Sequence, residues 1–169
     1  MSRIALKMVA DAITSVRAMD MVQKEALVDE IFRSQPNMLG SVLVLQRMDV
    51  SIEKMDTALD LLLICFQAMK RSGLPWPQIS ADDQDKQMSR YVATVRFGED
   101  LAPAQSARAM ARYIDTHPEK PLLTFVTSEL NKWLARIVPE ATDNYVMLAS
   151  MNFVNCIAFI PIPKPAKRA

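Results

Sequence analysis

Residues 51–71 read SIEKMDTALDLLLICFQAMKR, and this stretch decides the fold. Apolar side chains recur three and four positions apart along it, which is the spacing of one face of an α-helix. From Leu61 to Phe66 every residue is apolar, so the middle of this helix is hydrophobic all round. A helix of that kind is normally enclosed by other helices rather than laid on a surface. We therefore expect a buried central helix over residues 51–72.

Both ends of the central helix are marked by residues that start or stop helices. Ser51 can accept a backbone N–H as the N-cap, and Lys70 and Arg71 suit the negative C-terminal end of the helix dipole. Gly73 can adopt the left-handed conformation that ends a helix. Pro75 and Pro77 follow, and neither can continue a helix.

The rest of the chain repeats the helical pattern at shorter lengths. Of 169 residues half are hydrophobic, only three are glycine, and strong helix formers dominate. The pattern predicts about seven or eight helices, which together form an all-α, single-domain helical bundle over residues 1–160. Residues 161–169 are rich in proline and lysine and are predicted to form an extended basic tail.

Several local assignments stay open or depend on weak signals. Residues 3–34 fit either one long helix or two helices, with Asp20 as the cap of the second. Residues 42–45 (VLVL) fit a helix or a short strand, and the helix formers beside them favour the helix.

Later helices are predicted from Ser80 to a stop at Gly98, from Pro103 to His117, from 121 to 138 and from 143 to 159. In the second of these, the residues predicted to face inward are Ala107, Met110, Ala111 and Ile114.

Charge and cysteine content bound the functional class. With 20 basic and 19 acidic side chains the net charge is +1, so no overall field attracts DNA or an acidic membrane. Cys65 and Cys156 both lie in apolar stretches and are interpreted as buried, reduced thiols. The first thirty residues are amphipathic and lack the apolar core of a signal peptide. These features predict a cytoplasmic protein with no DNA partner.

One pair of residues suggests chemistry. His117 is the only histidine, and Arg112 precedes it in the sequence RYIDTH. This Arg-x4-His arrangement resembles the HEPN ribonucleases, all-helical dimers in which such residues cleave RNA without a metal. The resemblance implies a catalytic role for Arg112 and His117, with RNA as the substrate. The other interpretation is structural, because a histidine before Pro118 also suits the end of a helix.

Metal and cofactor sites are not expected. Glu53, Asp56 and Asp60 lie at helical spacing, but carboxylate sites in bundles also draw ligands from facing helices. A solvated face paired with Lys54 and Lys70 is the favoured interpretation. Three glycines are too few for a glycine-rich phosphate loop. We therefore expect no metal and no cofactor.

The C-terminal stretch from residue 145 to 162, YVMLASMNFVNCIAFIPI, is apolar enough to raise the question of a membrane. Two side-chain amides within it, and its short length, favour a helix packed in protein, so no membrane partner is expected. Because several helices are apolar on more than one face, a homodimer or a protein partner is expected. The candidate contact residues are Tyr145, Leu148, Asn152 and Asn155. The sequence thus favours a non-catalytic, cytoplasmic interaction protein, with the HEPN-like ribonuclease as the alternative.

Overall fold

The computed structural model describes residues 1–163, and regular structure in that range is helical throughout, without a strand. The prediction of an all-α bundle in one compact domain is confirmed. Eight α-helices occur in the described part of the chain: α1 (Leu6–Arg17), α2 (Met21–Ser34), α3 (Pro36–Leu43), α4 (Ile52–Ser72), α5 (Ala81–Glu99), α6 (Pro103–Thr116), α7 (Lys120–Leu134) and α8 (Asp143–Phe159). A 3₁₀ helix, Val44–Met48, joins α3 to α4.

Helix α4 is the predicted central helix. The Ser51 hydroxyl accepts the backbone N–H of Lys54 at 3.3 Å, and Gly73 ends the helix with a φ of 65°. Every residue from Leu61 to Phe66 is buried, as the continuous apolar run predicts. The helix packs mainly against α1 and α8, with α2, α3 and α7 around it.

Helix α8 lies as deep in the protein as α4. Twelve of its residues are buried, and it packs between α4, α5 and α7. Its apolar side chains therefore contact protein, as predicted for the stretch that begins at residue 145. Within residues 1–163, no helix combines the length and the apolar character needed to cross a membrane.

The two ambiguities in the first third of the chain are resolved. Residues 3–34 form two helices, because Asp20 begins α2 with a capping box in which its carboxylate accepts from the Gln23 N–H and the Gln23 side chain accepts from the Asp20 N–H. Residues 42–45 are helical, with Leu43 ending α3 and Val44 opening the 3₁₀ helix.

Other predicted details are wrong. Gly98 does not stop α5, which continues to Glu99, and α7 ends at Leu134 rather than at residue 138. No residue of α6 is fully buried, and Ala107, Met110 and Ala111 are exposed. The core reaches only the C-terminal end of this helix, where Tyr113 and Ile114 are partly buried, and it leaves the other three residues of the stripe in solvent. Most of the predicted basic tail, residues 164–169, lies outside the described residues.

Candidate functional site

His117 follows α6 directly, and its ring is buried with only 6% of the residue exposed. The backbone N–H of Glu119 donates to Nδ1 at 3.1 Å, so the proton of the neutral ring lies on Nε2. Nε2 in turn donates to the side-chain oxygen of Asn155, also at 3.1 Å. Burial lowers the pKa of His117 below its usual value, although the hydrogen bond to Asn155 opposes that shift. The ring is therefore held neutral, with both nitrogens occupied.

Glu119 extends this arrangement to the N-terminus of the chain. Its carboxylate is fully buried and accepts the backbone N–H groups of Arg3 at 2.8 Å and Ile4 at 3.1 Å. Burial raises the pKa of Glu119, and the hydrogen bonds from Arg3 and Ile4 limit that rise. The Arg3 guanidinium also donates to the backbone oxygen of Ile160 at 2.6 Å, at the end of α8. Glu119 and Arg3 thus join the start of the chain to α7 and α8.

Asn155, on α8, completes the group. Its Oδ1 accepts the Tyr113 hydroxyl at 2.8 Å as well as the His117 Nε2 proton. Burial raises the pKa of Tyr113, which keeps its hydroxyl protonated as a donor. Nδ2 of Asn155 is buried and has no partner among the described residues. We call Arg3, Tyr113, His117, Glu119 and Asn155 the His117 cluster.

The structure does not open the His117 cluster to a substrate. Arg112 lies on the exposed side of α6, whereas the His117 ring points into the protein. A phosphodiester bound at Arg112 could reach a ring nitrogen only by displacing Asn155 or the Glu119 backbone N–H. A histidine in this state holds neighbouring segments together. Acid–base work would require a nitrogen within reach of the substrate proton.

The four candidate contact residues on α8 divide into two pairs. Tyr145 is 40% exposed and Leu148 is half-buried, so both are accessible at the surface. Asn152 and Asn155 are buried and bond to groups of their own chain. The Asn152 amide donates to the backbone oxygen of Gln84 in α5 at 3.1 Å. Only the first pair is available to another molecule in this structure.

A second polar group, around Lys54, is also structural. The Lys54 ammonium donates to Glu140 and to Asp143, both at 2.6 Å, and so ties the α7–α8 connection to α4. The hydrogen bonds that Lys54 donates to Asp143 and Glu140 raise the pKa of Lys54. The expected pairing of Lys54 and Lys70 with acidic residues of α4 is wrong, since Lys70 pairs with Glu30 of α2. Within residues 1–163, no cluster of metal-ligating side chains is found.

An open groove lies between α1 and α7, and we call it the basic groove. It encloses about 690 Å³, and its apolar floor includes Leu6, Ile13 and Phe125. Leu6 is 70% exposed, and Ile13 and Phe125 are half-buried. Three cations and one carboxylate line the edges: Arg17, Lys120, Lys132 and Glu129. Arg17 and Lys132 both pair with Glu129, and Lys120 pairs with Asp115, so the cations exceed the carboxylates by one in this group.

Sequence reasoning did not identify the basic groove. The available signal was Leu6, an apolar residue that falls outside the apolar stripe of α1. No family model matches this chain, and neither a curated protein nor a solved structure matches it significantly. The residues and surfaces of the chain itself therefore carry the functional inference.

Proposed function

We propose that this protein is a non-catalytic interaction protein that binds another protein chain through the basic groove. The observation that carries the proposal is an open apolar floor with Leu6 70% exposed, edged by cations. Exposed apolar surface rimmed by charged residues is typical of protein–protein contact sites. An apolar floor supplies affinity, and the charged edge orients the partner.

The state of the nucleophilic and titratable groups supports a binding role. Burial raises the pKa of the Cys65 thiol, and likewise that of Cys156, to about 12, so neither is a thiolate at neutral pH. The His117 ring is neutral and hydrogen-bonded on both sides. The two free cysteines also support our proposal that the protein works in the reducing cytoplasm.

Site-specific photo-crosslinking tests the proposed function. A photoreactive amino acid in place of Leu6 is expected to give one discrete adduct with a protein in cells that express the chain. The same group in place of Ser89 is the control, because Ser89 is exposed on α5, which packs against α6 and α8 and not against the groove. The Leu6 adduct should fade when Lys120→Glu and Lys132→Glu are introduced together.

Two results would contradict the proposed function. One is the same set of adducts from Leu6 and Ser89, which would mean non-specific contact. The other is an RNA-degradation assay in which the purified protein cleaves RNA and His117→Ala abolishes the cleavage. That outcome would establish the HEPN-like ribonuclease alternative and give Arg112 and His117 the roles that the resemblance implies.

A further inference from the structure

A second apolar surface lies between α2 and α4, and its charges are opposite to those of the basic groove. Its apolar part includes Met21, which is 71% exposed, and the half-buried Val28 and Leu59. The depression there encloses about 370 Å³. Four carboxylates and one lysine line it: Glu25, Asp29, Asp56, Asp60 and Lys24. We call this the acidic surface.

The basic groove and the acidic surface belong to one continuous face of the protein. A smaller depression of about 180 Å³ lies between them and is formed by residues of α1, α2, α4 and α7. It shares Arg17 and Glu129 with the basic groove, and Lys24 and Asp60 with the acidic surface. The face therefore runs from a positive end, across a shared middle, to a negative end.

From this arrangement we infer that the occupant of the basic groove is a second copy of this chain. Two copies related by a two-fold axis through the shared middle would place each basic groove against the acidic surface of the other copy. Such a dimer is closed, since both charged ends of both copies are used at once. The inference rests on the proposed function and names its partner.

Charge and exposure both favour the second copy over an unrelated partner. Three cations and one carboxylate line the groove, and four carboxylates and one lysine line the surface that would face it. Contact would also remove Leu6 and Met21 from water, and burial of apolar area is the main favourable term in association. The net charge of +1 means that the two copies do not repel each other as whole molecules.

Molar-mass measurement with charge-reversal variants tests the dimer. The wild-type chain is expected to have twice the mass of one copy at about 100 μM. Lys120→Glu with Lys132→Glu reverses the groove, and Glu25→Lys with Asp29→Lys reverses the acidic surface. Each pair should weaken dimerisation by about tenfold or more, since like charges then face each other at both contacts. All four residues are exposed, so the fold should tolerate these changes.

Mixing the two double variants is the decisive step. In the mixed pair, a negative groove faces a positive α2 at one contact, and the other contact keeps its wild-type charges. Mixing should therefore restore dimerisation to about the wild-type strength, although each variant alone dimerises more weakly by about tenfold or more. Arg96→Glu with Arg108→Glu, exposed on α5 and α6, is the control and should leave the dimer intact.

A monomeric wild type, a dimer unaffected by both reversals, or a failure of mixing to restore it would overturn the second-copy inference. If the purified chain is monomeric while the photoreactive group at Leu6 still gives an adduct with a different protein, the proposed function stands and only the partner is wrong. If Leu6 gives no adduct at all and the chain is monomeric, both proposals fail.

Discussion

The His117 cluster and the basic groove both depart from the usual distribution, in which polar side chains are exposed and apolar side chains are buried. At the His117 cluster, ionisable and polar groups lie inside the protein, with Glu119 fully buried. At the basic groove, apolar groups face solvent, with Leu6 70% exposed. A buried polar group is costly unless it is hydrogen-bonded, and an exposed apolar group does not gain the favourable free energy of burial. The first arrangement is completed within the chain, whereas the second is completed only by another molecule.

This difference shows which residues suggest function and which provide it. Arg112 and His117 attract attention in the sequence because arginine and histidine are common in active sites. In the fold, the histidine serves to join α6, α8 and the segment before α7. Leucine has no such association, yet the position of Leu6 at the start of α1 makes it part of the basic groove. The type of a residue is therefore weaker evidence of function than its position in the fold.

Within these two regions, the largest effect is expected at Glu119. Replacing Glu119 with alanine removes the acceptor of two backbone N–H groups, those of Arg3 and Ile4. An unsatisfied buried donor costs about 1–3 kcal/mol, so we expect the free energy of unfolding to fall by about 2–4 kcal/mol. Urea-induced unfolding followed by circular dichroism measures it. Glu119→Gln keeps one side-chain acceptor and should therefore lose less stability than Glu119→Ala. If Glu119→Ala costs less than Glu119→Gln, the cluster does not hold the N-terminus.

His117 comes next in expected effect. His117→Ala removes the ring that accepts from the Glu119 N–H and donates to Asn155, and should cost about 1–3 kcal/mol of unfolding free energy. Arg112→Ala is the matched control on the same helix, and because Arg112 is exposed its cost should stay within about 0.5 kcal/mol. Equal costs for the two variants would show that Arg112 and His117 act as one unit after all.

The dependence of stability on pH offers a smaller effect with a defined sign. The folded-state pKa of His117 lies below the usual 6.5, so below that pH the unfolded chain binds more protons than the folded chain. Stability should therefore fall as the pH decreases from about 6.5, by at most about 1.4 kcal/mol per pH unit. Protonation would also put a proton on Nδ1, which then could no longer accept the Glu119 N–H.

Glu119 contributes with the opposite sign, so a variant is needed to isolate the histidine. The raised pKa of Glu119 makes stability fall as the pH increases above 4.5. The useful quantity is the difference in unfolding free energy between wild type and His117→Gln, measured from about pH 7.5 to about pH 5.5. That difference should shrink as the pH decreases. A difference that is constant with pH would show that the histidine does not stay neutral in the folded chain.

The sequence could predict those features of the fold that depend on residues close together along the chain. The ends of α4 follow from Ser51 and Gly73, and its depth follows from the continuous apolar run between them. The role of His117 could not be predicted, because Asn155 lies 38 residues away and is brought to it only by the packing of α8. The exposure of Ala107, Met110 and Ala111 on α6 was missed for the same reason, since the stripe alone does not show which of its residues the core reaches.

The smallest expected effect on stability is at the basic groove. Leu6→Asn should change the unfolding free energy of the monomer by no more than about 0.5 kcal/mol, because Leu6 is largely exposed. Leu62→Ala, at a fully buried leucine of α4, should by contrast cost about 2–5 kcal/mol through the cavity it opens.

Unfolding must be measured at a protein concentration where the chain is monomeric, since dissociation would otherwise add to the result. At higher concentration Leu6→Asn should weaken self-association while leaving the circular dichroism spectrum unchanged. If instead Leu6→Asn destabilises the monomer as strongly as Leu62→Ala, the side chain is already buried within its own chain, and the basic groove is part of the core rather than a surface for a partner.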